Sequence, residues 1–153
     1  TAAGAQVQVA MTDNAQRFVA ATTFQALSGR HVRTSLWDEA AEAAMGHIEL
    51  ARWPDRIVIA PATANTIAKL AHGFADDLVS TLCLATDAPI VIAPAMNRLM
   101  WAHTATRANV DALRSRGVLV LGPGAGDQAC GEVGEGRLLE PEEIVTALAQ
   151  ACA

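Results

Sequence analysis

The stretch Ile90-Val91-Ile92-Ala93-Pro94-Ala95-Met96-Asn97-Arg98-Leu99-Met100-Trp101 decides the fold. Four apolar residues, three of them β-branched, run straight into Pro-Ala and a polar residue, the pattern of a strand buried on both faces that stops abruptly at its carboxyl end. The opening hexapeptide occurs once before, as Ile57-Val58-Ile59-Ala60-Pro61-Ala62, 33 residues upstream. That separation is about the length of one strand-helix-strand unit. The two strands therefore deliver their polar tails, Thr63-Ala64-Asn65-Thr66 and Met96-Asn97, to one rim, and open α/β sheets bind their ligands at such rims.

Outward from these strands, helices and strands alternate. Residues 6–12 alternate polar and apolar as a strand does, and the small-residue run 1–5 before them reads as the end of a helix with its Gly4 cap. Asp13 and Asn14 are placed to cap a helix running to about Leu27, with Phe18, Val19, Thr22 and Ala26 on one face. Residues 32–37 read as extended, and Asp38 as the cap of an alanine-rich helix over 38–45. The spacing predicts further helices over 63–72, closed by Gly73, over 78–86 after Asp76-Asp77, and over 104–116, closed by Gly117. Residues 118–121 read as a strand, and Pro141 opens a last helix to about Ala151. Between them, residues 122–136 are rich in glycine and lack periodicity, which predicts a long loop of the kind that serves as a lid. Strands alternating with helices imply a three-layer, doubly wound parallel sheet of Rossmann or flavodoxin type, formed by 1–153 as a single domain.

With 153 residues and 52% apolar content, such a domain buries roughly 70% of the surface its unfolded chain exposes. The net charge of −5 comes from acids spread along the chain, without the basic blocks of a nucleic-acid track. No apolar run has the length of a membrane span and no signal pattern opens the chain, so a cytoplasmic protein is expected. Cys83, Cys130 and Cys152 are odd in number and lack CxxC spacing, which predicts neither a disulfide framework nor a metal site.

Chemistry is concentrated at the strand ends. At Thr63-Ala64-Asn65-Thr66 a strand becomes a helix, so backbone N–H groups and short polar side chains converge; this suits an anionic or polyhydroxylated ligand, or plain helix capping. Thr12-Asp13-Asn14 repeats the junction, and two of them favour a nucleotide or flavin. Asn97 is an amide able to hold a carboxylate or phosphate without adding charge, or a second helix cap. His47, between Gly46 and Ile48 just before a buried strand, reads as a hydrogen-bonded structural residue. Cys130 lies in the glycine-rich loop, where a thiol can act as acid or nucleophile, whereas Cys83 reads as core.

Taken together, Pro61 to Thr66, Pro94 to Asn97, Met100-Trp101, His47-Ile48-Glu49-Leu50, residues 73–78 and Ala129-Cys130-Gly131 resemble, in this order, the flavin-containing cysteine decarboxylase family. The set is most similar to the branch that acts on 4'-phosphopantothenoylcysteine, in bacteria usually the amino-terminal half of a bifunctional coenzyme A biosynthesis protein. The resemblance implies FMN bound near Thr12, Asp13, Asn14, Thr63, Ala64, Asn65, Thr66 and Ala95. It further implies His47 as catalytic base, Asn97 as the contact to the substrate carboxylate, and Cys130 as proton donor on a clasp formed by 122–136. The implied reaction oxidises the substrate thiol transiently to a thioaldehyde, which accepts the electrons released with CO2. Family members form trimers, some assembled into dodecamers, and the implied partner in the full-length protein is a fused phosphopantothenate-cysteine ligase. Against the family pattern, the chain starts after the first strand, the phosphate loop and the first helix. Two other readings share the motifs: a decarboxylase of carboxy-terminal peptidyl cysteine, and a non-catalytic FMN-binding regulatory subunit of a phosphatase.

Overall fold

The computed structural model describes residues 1–37, 46–128 and 131–151. In chain order the helices are α1 (Ala21–Ser28), α2 (His47–Arg52), α3 (Ala64–His72), α4 (Leu78–Leu84), α5 (Arg98–Ala102), α6 (Thr104–Ser115) and α7 (Pro141–Gln150). The strands are β1 (Ile57–Ala62), β2 (Ile90–Pro94), β3 (Leu119–Val120), β4 (Gly124–Asp127) and β5 (Val133–Arg137). These elements group into two compact units, one of Thr1–Trp53 with Phe74–Asp87, the other of Pro54–Gly73 with Ala88–Ala153.

The second unit holds the sheet. Strands β1, β2 and β3 lie side by side in that order, all parallel, as expected of an α/β fold. Ile57, Val58 and Ile59 sit opposite Ile90, Val91 and Ile92, and after a shift in register Ala62 sits opposite Pro94. The β3 ladder is short, but Leu121 N–H donates to the Ile92 carbonyl at 2.9 Å and prolongs it. Val91, Ile92 and Ala93 in the central strand are fully buried. Helices α3 and α6 pack on each other and bury Ile67, Ala71, Val110 and Leu113. Both stop where expected, at Gly73 and Gly117, whose positive φ values of 71° and 87° a side chain would strain.

Within the stretch whose glycine content predicts an irregular loop, Gly124–Asp127 and Val133–Arg137 are strands. Strands β4 and β5 pair antiparallel as a hairpin, with Ala125 opposite Glu135 and Asp127 opposite Val133. Glycine recurs at every second position, at 124 and 126 and again at 134 and 136; Gly126 is covered by the Arg137 side chain, whereas Gly134 and Gly136 turn a face without side chains towards Arg98 and Met96. That face is what lets the hairpin lie directly on another chain segment.

In the first unit the strand expected over 6–12 is reduced to a parallel bridge between Ala10 and Arg33. Met11 N–H donates to the Arg33 carbonyl at 2.8 Å, and Arg33 N–H to the Val9 carbonyl at 2.9 Å. The helix expected over 13–27 is interrupted. Thr12 Oγ1 accepts from Ala15 N–H at 3.2 Å, a 3₁₀ turn follows over Ala15–Arg17, and α1 starts only at Ala21. Its expected apolar face is uncovered: Phe18 is 89% exposed, and α1 buries none of its residues. Periodicity marks an apolar stripe but does not say what covers it. Helices α2 and α4 pack together, burying Leu50, Ala51, Leu78, Leu82 and Cys83. Asp77 caps α4 in a reciprocal box with Ser80. The helix expected over 38–45 lies outside the described residues, and no helix among those described is long and apolar enough to cross a membrane.

Candidate functional site

The two strand tails leave the sheet together, as the repeated hexapeptide predicts. Ala95 N–H donates to the Ala62 carbonyl at 3.1 Å, which ties the first residue beyond β2 to the last residue of β1. Beyond Ala62 the chain turns at once into α3, capped by Thr63: its Oγ1 accepts from Thr66 N–H at 3.2 Å and lies 3.1 Å from Thr66 Oγ1. Capping therefore accounts for Thr66 N–H, while the N–H groups of Ala64 and Asn65 lie in the first helical turn, where the helix offers no acceptor. Thr63 and Asn65 are exposed, and the neighbouring residues Ala64 and Ala95 are small. The rim thus presents neutral donors, hydroxyls and an amide beside small side chains.

Asn97 is a helix cap, one of the two roles that the sequence leaves open. Its Oδ1 accepts from Leu99 N–H at 2.8 Å and caps α5. The amide is thereby fixed in orientation, and its Nδ2 donates to Glu132 Oε2 at 2.8 Å. Arg98 Nη2 donates to the other oxygen of the same carboxylate at 3.3 Å. An amide and a guanidinium on adjacent residues thus meet the two oxygens of one carboxylate.

Glu132 arrives there on the hairpin, whose docking the sequence reading missed. Met96 N–H donates to the Gly136 carbonyl at 2.9 Å. Gln128 bridges the same segment, its Oε1 accepting from Arg98 N–H at 3.1 Å and its Nε2 donating to the Met96 carbonyl at 3.3 Å. A β-carbon at Gly136, where φ is 139°, would overlap the Met96 carbonyl oxygen, so only glycine allows this approach. Trp101, buried, donates from Nε1 to Glu135 Oε2 at 3.2 Å and carries Arg107 stacked 5.1 Å from its ring centre. Arg98, Trp101, Arg107, Val133, Gly134 and Glu135 line a cleft of about 470 Å³. The alternation of glycine along 124–136 is the signal that would have revealed the hairpin. Nothing local marks Gln128 and Glu132 as its docking groups.

The remaining candidates belong to the first unit, apart from Cys130. His47 is half-buried and opens α2, following Gly46 in an extended conformation. Asp13 and Asn14 are exposed around the 3₁₀ turn that Thr12 initiates. Cys130 lies outside the described residues. Cys83 is a core thiol: burial, and secondarily the charge of Asp77, push its pKa up to about 12, so it is no nucleophile near neutrality.

Comparison with known proteins then adds what geometry does not. A family model described as Flavoprotein matches residues 1–153. The coenzyme A biosynthesis bifunctional protein CoaBC of Vibrio vulnificus strain YJ016 is 56% identical over 142 residues, 93% of this chain and 35% of that protein. The protein of the same name from Escherichia coli K12 is 55% identical with the same coverage. The chain thus spans about a third of the length of these relatives. Among solved structures, a mutant PPC decarboxylase complexed with pantothenoylaminoethenethiol superposes with a TM-score of 0.84 at 31% identity, covering 99% of this chain and 85% of that one. The FMN-dependent cysteine decarboxylase SpaF matches with a TM-score of 0.75 at 36% identity, covering 95% and 79%.

Proposed function

Because this chain belongs to the Flavoprotein family, we propose that it binds FMN and converts 4'-phospho-N-pantothenoylcysteine into 4'-phosphopantetheine, a decarboxylation in coenzyme A biosynthesis. The names of the bifunctional relatives and of the PPC decarboxylase neighbour support this substrate. The observation that carries the reading is Asn97, whose amide is oriented by its capping bond and already engages a carboxylate at 2.8 Å. In catalysis that amide holds the carboxylate of the substrate, with its breaking C–C bond in a fixed orientation.

The rim of the sheet fits the cofactor: Thr63, Asn65 and Thr66 offer neutral hydrogen-bonding groups, and Ala64 and Ala95 leave space. These five residues hold the FMN together with Thr12, Asp13 and Asn14 of the other strand-end junction. When bound, the flavin would supply a reversible two-electron redox couple, which the transient oxidation of the substrate CH2–SH to a thioaldehyde requires. His47 takes the proton released from the substrate, as an imidazole acting as general base does. Cys130, on the clasp, returns a proton to the product once water is excluded. A single domain of residues 1–153 provides all three groups per subunit. The exposed Phe18, Leu27 and Trp37 support a homo-oligomer, a trimer in this reading. Fusion to a phosphopantothenate-cysteine ligase and residence in the cytoplasm complete the proposal.

The test is an absorbance spectrum of the purified full-length protein, followed by CO2 release from phosphopantothenoylcysteine and from a short peptide ending in cysteine. A yellow protein that releases CO2 only from the small metabolite is the expected result; a preference for the peptide transfers the function to peptidyl-cysteine decarboxylation. His47→Asn abolishes CO2 release, a loss on the order of 10²-fold or more. Cys130→Ser still releases CO2 but accumulates the oxidised product, and a normal yield of the reduced product removes Cys130 from the mechanism.

A further inference from the structure

The base of the hairpin is seated by hydrogen bonds to the backbone of Met96 and Arg98 and to the indole of Trp101. Glu132 near the tip is different. It reaches the side chains of Asn97, at 2.8 Å, and Arg98, at 3.3 Å, each through a separate carboxylate oxygen. Its Arg98 partner is open to solvent, the two side chains being 43% and 36% exposed. Such a pair is weak and readily exchanged. Arg98 also lines the open cleft of about 470 Å³.

We propose that Asn97 and Arg98 together form a carboxylate site, and that Glu132 is its resident internal occupant, displaced when the carboxylate of the substrate enters. The proposal rests on the reading of Asn97 as the carboxylate contact and adds two residues to it: Arg98 as a second, charged contact, and Glu132 as a competitor that fastens the tip of the hairpin while the site is empty. The chemistry of the exchange is symmetric. One carboxylate leaves the amide and the guanidinium as another arrives, so neither donor is ever left unpaired, which would otherwise cost part of the binding free energy. The base of the hairpin stays seated through Gln128, Glu135 and Gly136 while the tip is released. A ligand lacking the carboxylate cannot drive the exchange, so the arrangement discriminates substrate from its decarboxylated product.

The experiment uses the full-length holoprotein and two compounds that cannot be oxidised at sulfur: 4'-phosphopantothenoyl-S-methylcysteine and its counterpart without the carboxylate, 4'-phospho-S-methylpantetheine. Calorimetry gives both dissociation constants for the parent, for Glu132→Ala, and for Glu132→Ala combined with Arg98→Ala. Removing Glu132 tightens the carboxylate compound by roughly three- to tenfold, as expected for a partly exposed competing pair, and leaves the other compound unchanged. Removing Arg98 in that background weakens only the carboxylate compound, by a similar factor. In the ligand-free protein, Glu132→Ala also speeds amide hydrogen exchange over 131–137. Equal changes for both compounds, or no change in their ratio, make Glu132 a structural strut and overturn the competition. No effect of Arg98→Ala removes Arg98 from the site. If the parent binds neither compound, the proposed substrate fails, and the exchange rates of the ligand-free protein still decide whether Glu132 fastens the tip.

Discussion

Two copies of Ile-Val-Ile-Ala-Pro-Ala lie next to each other in one sheet and have different fates. In β2 the copy is central, flanked by β1 and β3, and Val91, Ile92 and Ala93 are fully buried. In β1 the same six residues form an edge: Val58 is 39% exposed and Ala60 and Pro61 face solvent. The tails diverge too. Thr63 to Thr66 remain open at the rim, whereas Met96 to Arg98 lie beneath the β4–β5 hairpin. Identical side chains thus give a shared strand and a shared direction, while burial and covering are imposed by neighbours that the hexapeptide does not encode.

The largest effect that tests this contrast is on stability. Val91→Ala removes two buried methyl groups from a fully enclosed site and costs about 2 kcal/mol. Val58→Ala, opposite it in the ladder, costs under about 1 kcal/mol because its side chain is already part-solvated. Urea unfolding of the two variants measures the gap, and equal losses mean that β1 is as enclosed as β2 in the assembled protein.

A smaller effect separates the covered tail from the open one. Gly136→Ala places a β-carbon against the Met96 carbonyl, so the hairpin lifts from the β2 tail. Amide exchange over the hairpin accelerates roughly tenfold, corresponding to about 1.4 kcal/mol of local opening. Exchange in α3, behind the β1 tail, stays unchanged; if it accelerates as well, the two tails are not independently covered. Thr63→Ala is the converse change, costing about 1 kcal/mol by removing the cap of α3 and weakening FMN binding. Thr63→Ser restores both, since the hydroxyl is retained. A Thr63→Ala protein that keeps parental stability and flavin content places the cofactor elsewhere.

This contrast also explains what was legible in the sequence. The parallel strands, the α3 cap, Gly73 and Gly117 could be read because each is specified within a few residues: an apolar run, a hydroxyl three residues before its amide, a glycine in the left-handed region. The rim at Ala62 and Ala95 was legible because one hexapeptide was written twice. The covering of that rim was not. The Asn97–Glu132 bond joins residues 35 apart, and Gln128 reaches the Met96 carbonyl across 32. No local periodicity announces such bonds, and glycine-rich composition hid the alternation that builds the hairpin. The exposed Phe18 in the first unit shows the same limit, because an apolar stripe was readable and its partner was not.

The smallest expected effect is a null one, and it protects the comparison of β1 with β2 from a misreading. Cys83 lies in the first unit with its pKa pushed up from 9.0 to about 12 by burial and, less, by Asp77. The folded thiol keeps its proton where the unfolded thiol releases it, so the contribution is complete below about pH 9 and is lost as pH rises towards 12. The slope is at most about 1.4 kcal/mol per pH unit. Parent, Val91→Ala and Val58→Ala all carry this thiol and lose stability in parallel above pH 9, while the gap between the two variants stays constant. Unfolding curves at pH 8 and pH 10 check both statements. A gap that changes with pH means that substitution in one strand alters the burial of Cys83, and the strand difference then no longer reports the sheet alone. Cys83→Ala in each background separates the two cases, because it removes the alkaline loss and leaves a gap set only by the sheet.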